Sequence, residues 1–177
     1  MAESSNVMIG GSRSLLPVGG EAEVGPGRRN HTPWLQAVAR AGVPELILNC
    51  SAVLTHQDLA TLASNARLDT LELHGADLRP FAGLMALSGS ARLERLVVDT
   101  DYWFAGEAHD GPFDPPSAAE GVILALLLAC PRLSVGLTFR QDAGRLAEAQ
   151  DGLQGMLERM QSDLETMGCD PERLWFY

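Results

Sequence analysis

Apolar residues recur along the chain at a fixed spacing. Residues 68–73 carry leucines at their first, fourth and sixth positions, and residues 93–98 carry Leu, Leu and Val at the same positions 25 residues later. Residues 43–48 carry Val, Leu and Leu 25 residues earlier. Apolar residues two apart share one face of an extended chain. The spacing therefore predicts short strands near residues 45–49, 70–74 and 95–99.

The residues between these copies repeat as well. Apolar pairs three residues apart precede the strands: Trp34 and Ala37, Leu59 and Leu62, Leu84 and Leu87, and Leu124 and Leu127. A further apolar position follows each copy, at Val53, Leu78 and Trp103. Apolar residues three apart lie on one side of a helix. Each unit should therefore return through a helix or an irregular turn, and a helix starting at Thr32-Pro33 should cap the first strand.

The pattern resembles a leucine-rich repeat, LxxLxLxx(N/C)xL, carried by residues 43–53, 68–78 and 93–103, and the unit length is similar to the ribonuclease-inhibitor-like class. The resemblance implies an α/β fold, a short solenoid with a parallel strand ladder on the inner face and helices on the outer face. The Asn or Cys position of the family holds Ser51, Ala76 and Asp101. We therefore expect the family's asparagine ladder to be absent or weakened.

The C-terminal half departs from the regular spacing. Residues 101–117 are rich in Gly and Pro and predict an insertion, followed by a helix over 118–130 and a strand over 133–139. Alternation in that strand turns Leu133, Val135, Leu137 and Phe139 inward. Continuing the 25-residue repeat into this strand would instead place Gly136 and Thr138 in the core. We adopt the alternation, since Gly and Thr would leave the core underfilled.

A long helix and a last strand complete the predicted domain. The helix spans 142–167, with Gly168 as its C-cap, and the strand spans 173–177. The apolar stripe of this helix comprises Leu146, Leu153, Met156, Leu157, Met160, Leu164 and Met167. Residues 1–30 are rich in Gly and predict a flexible tail, which leaves 31–177 as a single domain.

Charge and cysteine content narrow the class of protein. The chain has 13 Arg, no Lys and 23 acidic residues, for a net charge of −10. This balance argues against sequence-independent binding to nucleic acid and against binding to anionic membranes. Neither a signal peptide nor a membrane span is evident, so we expect a cytoplasmic protein. Cys50, Cys130 and Cys169 form no disulfide framework, and we expect Cys130 and Cys169 to be buried free thiols.

The candidate binding residues lie opposite the core on the strands. This outward set comprises Glu45, Ile47, Asn49, Thr70, Glu72, His74, Arg95, Val97 and Asp99. Tyr102, Trp103 and Phe104 of the insertion join it, because three consecutive aromatic residues cannot all be buried by one extended segment and aromatic side chains anchor interfaces. The acidic residues favour a protein partner with a basic or mixed surface. The edge of the last strand offers a possible contact between copies of the chain.

Catalytic or metal chemistry draws little support from the residues. Asn49, His74 and Asp99 should form a row, where a His beside a carboxylate can act as a base, but no Ser or Cys falls in that row. The candidate metal ligands in and just before the insertion, five carboxylates and one histidine, match neither an EF-hand nor a zinc spacing: Asp99, Asp101, Glu107, His109, Asp110 and Asp114. We therefore predict no catalytic residue, metal or cofactor.

The function that follows is a non-catalytic protein–protein interaction module, such as an adaptor. It would bind its partner through the outward face of the strands and the aromatic insertion. Three alternatives stay open. One is a small acidic immunity or inhibitor protein. Another is an anti-sigma-factor-antagonist (STAS) regulatory domain, to which the strand and helix of residues 45–67 are loosely similar. The last is a metal-dependent hydrolase that uses His74 or His109.

Overall fold

A computed structural model describes residues 6–10, 32–49, 53–78, 80–100, 116–138 and 146–176. These residues form an α/β fold with a six-stranded parallel sheet, whose strands pair in the order in which they occur along the chain. The strands are β1 (Asn6–Gly10), β2 (Glu45–Asn49), β3 (Thr70–His74), β4 (Arg95–Asp99), β5 (Ser134–Thr138) and β6 (Leu174–Phe176). The helices are α1 (Thr32–Ala41), α2 (His56–Ala63), α3 (Pro116–Ala129) and α4 (Leu146–Thr166), with 3₁₀ helices over Phe81–Gly89 and Pro171–Arg173.

Strand register places the repeated apolar residues side by side. Leu46, Leu71 and Leu96 are successive partners across β2, β3 and β4, and Val135 and Leu174 continue the row across β5 and β6. All five side chains are fully buried. In β5, Val135 and Leu137 face the core, so the prediction from alternation is confirmed. The register expected from the 25-residue repeat is wrong in this strand. Phe139 lies outside the described residues.

The helices form a second layer in the same order as the strands. α1 packs against α2, α2 against the longer 3₁₀ helix, that helix against α3, and α3 against α4. One apolar cluster fills the space between this layer and the sheet. Leu59, Leu62, Leu84, Leu87 and Leu127 belong to it, as the repeat predicts. Ala37 is exposed, so that position of the predicted pairs is wrong, whereas the half-buried Trp34 and Leu124 pack against the cluster.

Local capping interactions explain where α2 begins and where α4 ends. Thr55 and Asp58 form a reciprocal capping box at the start of α2. Gly168 has a φ of +74°, and the amide N–H of Cys169 donates to the Leu164 carbonyl over 2.8 Å at the end of α4. This is the Schellman arrangement expected of a C-terminal glycine. Met167 lies beyond the helix and is 43% exposed, so it does not extend the apolar stripe.

The prediction of a flexible tail over residues 1–30 does not hold at Asn6–Gly10. This segment is β1, which pairs in parallel with β2 over its whole length. The edge of β2 presents backbone N–H and C=O groups that need partners, and β1 supplies them. The helix expected as a terminal cap, α1, is therefore a connection between two strands. The rest of residues 1–30, apart from β1, lies outside the described part of the chain.

A slip of one residue follows β2. Val53, the predicted apolar position, is 43% exposed, and Leu54 is buried in the place predicted for Val53. The reason is that Val53 bridges to Asp77, so Leu54 rather than Val53 is the equivalent of the buried Leu78. Trp103 and most of the predicted insertion, residues 101–115, lie outside the described residues, and Pro116 and Ser117 already belong to α3.

Candidate functional site

The face of the sheet opposite the core is open on β2 and β3. Asn49 is exposed, and Glu45, Ile47, Thr70 and Glu72 are half-buried. We call these five residues the open patch. The alternation that buries Leu46, Leu48, Leu71 and Leu73 turns them away from the core. Ile47 pairs in register with Glu72, so an apolar side chain lies among polar ones.

The same face is closed on β4 and β5. Val97 and Asp99 have the predicted orientation but are only 2% and 1% exposed, so they offer almost no surface to a partner. One cause is Trp175, whose indole lies across Gly136. A Cβ atom at Gly136 would stand 2.8 Å from the Trp175 ring, so only glycine leaves room for it. Gly136 is the register partner of Val97, and the indole therefore shields this half of the sheet.

Arg95 links the closed half to the open patch. Its guanidinium carbon lies 5.4 Å from the centre of the Trp175 ring, within the range of a cation–π interaction. Its Nη2 atom lies 3.8 Å from Oε1 of Glu72. Both side chains reach solvent in part, so the ion pair contributes little stability. The Arg95 guanidinium therefore contacts both Glu72 and Trp175.

Glu72 also contacts His74. The Nε2 atom of His74 lies 3.1 Å from Oε2 of Glu72. A carboxylate oxygen accepts, so Glu72 takes the hydrogen when Nε2 carries it, and the role of Nδ1 depends on the tautomer. His74 is 9% exposed, and Nδ1 is buried without a hydrogen-bond partner among the described residues. Sequence reasoning expected His74 to face outward, but the structure nearly covers it.

Part of the predicted row at the C-terminal ends of the strands is present, since Asn49 pairs in register with His74. The register of β3 with β4 extends to Leu73 and Val98, and Asp99 pairs with Thr138 of β5. Oδ2 of Asp99 accepts a hydrogen bond from the amide of Gly75, and the hydroxyl of Thr100 donates to the Thr138 carbonyl. These contacts join β3, β4 and β5 at one edge, so Asp99 has a structural role there.

The described geometry offers no catalytic assembly. The single hydrogen bond of the His74 side chain goes to Glu72, so no hydroxyl or thiol is aligned with this imidazole within the described part of the chain. Among the same residues, no group of three His, Cys, Asp or Glu side chains could hold a metal ion. Tyr102, Trp103 and Phe104, and the acidic residues of the insertion after Asp99, lie outside the described ranges.

Both described cysteines are less buried than expected. Cys130 and Cys169 are half-buried free thiols, packed against the edge of the core. Burial raises the pKa of the Cys130 thiol above its ordinary value, and nearby Arg173 partly opposes this effect. A raised pKa keeps the thiol protonated at neutral pH, so Cys130 is not an activated nucleophile. Cys50 lies outside the described residues.

Sequence reasoning missed two polar residues that join successive units. Asn65 is buried, and its side-chain amide donates to the Val43 carbonyl and accepts from the Arg67 amide. Arg173 donates to the carbonyls of Leu127, Cys130 and Leu133. An asparagine just after a helix is a possible signal for the first. No local pattern signals the second, whose acceptors lie about 40 residues away.

Comparisons with known proteins leave the chain without an assigned relative. No protein-family model, no curated protein and no solved structure matches it. Within the described residues, no helix has the combination of length and apolar character needed to cross a membrane.

Proposed function

We propose that this chain is a leucine-rich-repeat module, a short solenoid, that binds another protein through the open patch and catalyses no reaction. The observation that carries the proposal is the contrast between the two halves of one sheet face. Strands of the same spacing and parity are covered at β4 and β5, yet β2 and β3 leave a mixed polar and apolar surface. Parallel strands in chain order with helices stacked in the same order also support the solenoid.

The composition of the open patch suits an interface. Ile47 is its apolar member, with Glu45 and Asn49 beside it on β2 and Thr70 and Glu72 on β3, while β1 pairs with β2 on the other side. Protein interfaces commonly combine a buried apolar centre with a polar rim. We therefore expect Ile47 to lose its remaining exposure when the partner binds.

The charge of the patch selects the kind of partner. Glu45 and Glu72 lie on the patch, and the whole chain carries a net charge of −10. Opposite charges steer two proteins together and suppress unsuitable pairs. These observations support a partner with a basic or mixed surface, whether the chain serves as an adaptor or as an inhibitor.

A matched pair of substitutions tests the proposal. Ile47→Glu places a charge in the open patch, and Leu128→Glu makes the same chemical change on α3, where Leu128 is 45% exposed. We expect both variants to keep the native circular dichroism spectrum. Each is then used to capture proteins from a lysate of the source cells, and captured proteins are purified and titrated against each variant by calorimetry.

The proposal requires a protein that binds the native chain and the Leu128→Glu variant alike and loses at least tenfold in affinity for Ile47→Glu, a change of about 1.4 kcal/mol in binding free energy. A partner that binds both variants equally would place the interface elsewhere. Conversion of a substrate by the purified chain would contradict the non-catalytic part.

A further inference from the structure

We propose that two copies of this chain associate through the outer face of α3, with the two helices packed antiparallel about a two-fold axis. The outer face comprises Gly121, Leu124, Ala125 and Leu128, which follow one side of the helix at about 3.6 residues per turn. Gly121 and Leu128 are exposed, and the other two are half-buried. This surface is separate from the open patch, because the helices cover the opposite face of the sheet.

The outer face of α3 is apolar, although it lies on the solvent side of a helix. A helix at a protein surface normally carries polar and charged residues opposite its buried stripe. The buried stripe of α3 comprises Ala119, Ile123, Leu126 and Leu127. The helix has one charged residue, Glu120, whose Oε1 atom lies 2.9 Å from Nη2 of Arg159 on α4. Leu128 is 45% exposed, so a protein surface that covered it would remove apolar area from water.

The charge of the chain favours this face for a contact between two copies. Each copy carries a net charge of −10, so two copies repel one another through most of their surfaces. The four residues of the outer face bring no charge into the contact. Antiparallel packing also places the N-terminal end of each α3 beside the C-terminal end of the other, where the partial charges of the helix dipoles are opposite.

The shape of the outer face is complementary to itself. Leu128 protrudes into solvent, whereas Gly121 has no side chain, and a Cβ there would meet no atom of the described residues within 4 Å. Two antiparallel helices centred between Leu124 and Ala125 bring Leu128 of each copy level with Gly121 of the other. The protruding side chain of each copy then fills the open space on its partner, and the same fit occurs twice. A two-fold dimer requires this kind of self-complementary surface.

Sedimentation equilibrium on the full chain tests the proposal. The contact spans about two turns of one helix and is smaller than the roughly 1,200–2,000 Å² that stable interfaces bury, so the dimer is reversible. We expect the average mass to rise from that of a monomer to that of a dimer between about 1 μM and about 1 mM. Leu128→Glu should raise the dissociation constant of the dimer at least tenfold, because it brings a charge into the apolar contact. Ile47→Glu is the matched control on the other face of the sheet and should leave the dissociation constant unchanged.

A second variant separates the proposed fit from general apolar association. Gly121→Leu adds an apolar side chain where nothing in the described part of the same chain obstructs it, and leucine favours a helix more than glycine does. We therefore expect the fold to persist, which circular dichroism checks. Association driven only by apolar area would become stronger in this variant. The proposed dimer should instead weaken about tenfold, because the added side chain occupies the space that Leu128 of the other copy needs.

Three results would overturn the proposal. The first is a native chain that stays monomeric up to the highest concentration. The second is a dimer that Leu128→Glu leaves unchanged, which would place the contact elsewhere, for example at the edge of β6. The third is a dimer that Gly121→Leu strengthens, which would mean unspecific apolar association. None of these results affects the proposed function, because partner binding is measured on the open patch, where Ile47→Glu should abolish it and Leu128→Glu should not.

Discussion

Arg173 shows how one side chain can hold two units together. Its guanidinium donates to the carbonyls of Leu127 and Cys130, at the C-terminal end of α3, and its Nε donates to the Leu133 carbonyl ahead of β5. Carbonyls at the end of a helix have no partner within the helix, and a positive charge there also interacts favourably with the helix dipole. Arg173 thereby fastens β6 to the preceding unit.

Replacing Arg173 with Ala should lower the free energy of unfolding by about 2–4 kcal/mol, because buried acceptors lose a charged donor. The matched control is Arg132→Ala, an exposed arginine in the turn before β5, for which we expect a change within about 0.5 kcal/mol. Urea denaturation followed by circular dichroism measures both. Equal losses in the two variants would mean that the hydrogen bonds of Arg173 contribute nothing specific.

Asn65 makes a polar contact that the repeat spacing does not predict. The resemblance to leucine-rich repeats implies an asparagine or cysteine at positions 51, 76 and 101, and the chain has Ser, Ala and Asp there. The structure places a buried asparagine elsewhere, after α2, where it bonds the carbonyl of Val43 in the preceding unit. The repeat spacing predicts which apolar residues are buried. It does not predict the polar residues that join units, because each of them bonds a backbone group that lacks a partner only in the folded chain.

At the scale of an element, β5 depends on a close approach between strands. Gly136 has no side chain, and the Trp175 indole of β6 occupies the space above it. The period-two pattern of Val135 and Leu137 predicts which face of β5 is buried, and the structure agrees. The pattern could not predict why a glycine stands between them, because Trp175 is distant in the sequence and their contact is made only in the folded sheet.

Gly136→Ala should displace the indole, because its Cβ would lie within 3 Å of three ring atoms. We expect Trp175 to swing into solvent and to leave Arg95, which shifts tryptophan emission to longer wavelength. Gly121→Ala is the matched control, since a Cβ at that helical position meets no atom within 4 Å. That change should leave emission unchanged and stabilise α3 by up to about 1 kcal/mol. An unchanged emission spectrum for Gly136→Ala would contradict the packing of Trp175 described above.

At the scale of the whole molecule, the sequence predicted the layered α/β arrangement and the positions of the repeated strands, because both follow from local periodicity. It did not predict β1. The Gly-rich stretch around Asn6–Gly10 suggests a chain that cannot bury enough surface to be ordered. Pairing with an existing sheet edge changes that balance, since the partner strand is already in place and supplies the backbone hydrogen bonds. A local pattern does not reveal this dependence on the rest of the fold.

The role of β1 leads to a prediction about the whole sheet. Deleting residues 1–10 removes β1 and exposes the edge of β2, whereas deleting residues 1–5 leaves the described strand intact. Each lost backbone hydrogen bond has a net value of about 1 kcal/mol, so we expect the longer deletion to lower the free energy of unfolding by a few kcal/mol. An unpaired parallel strand is also a template for other chains.

The longer deletion should therefore associate as its concentration rises, and the shorter one should behave like the native chain. Light scattering coupled to size-exclusion chromatography measures the first effect, and urea denaturation the second. A chain without residues 1–10 that keeps both native stability and native mass would show that β2 does not need β1. The sheet would then be complete with β2 at its edge, and the open patch would extend to that edge.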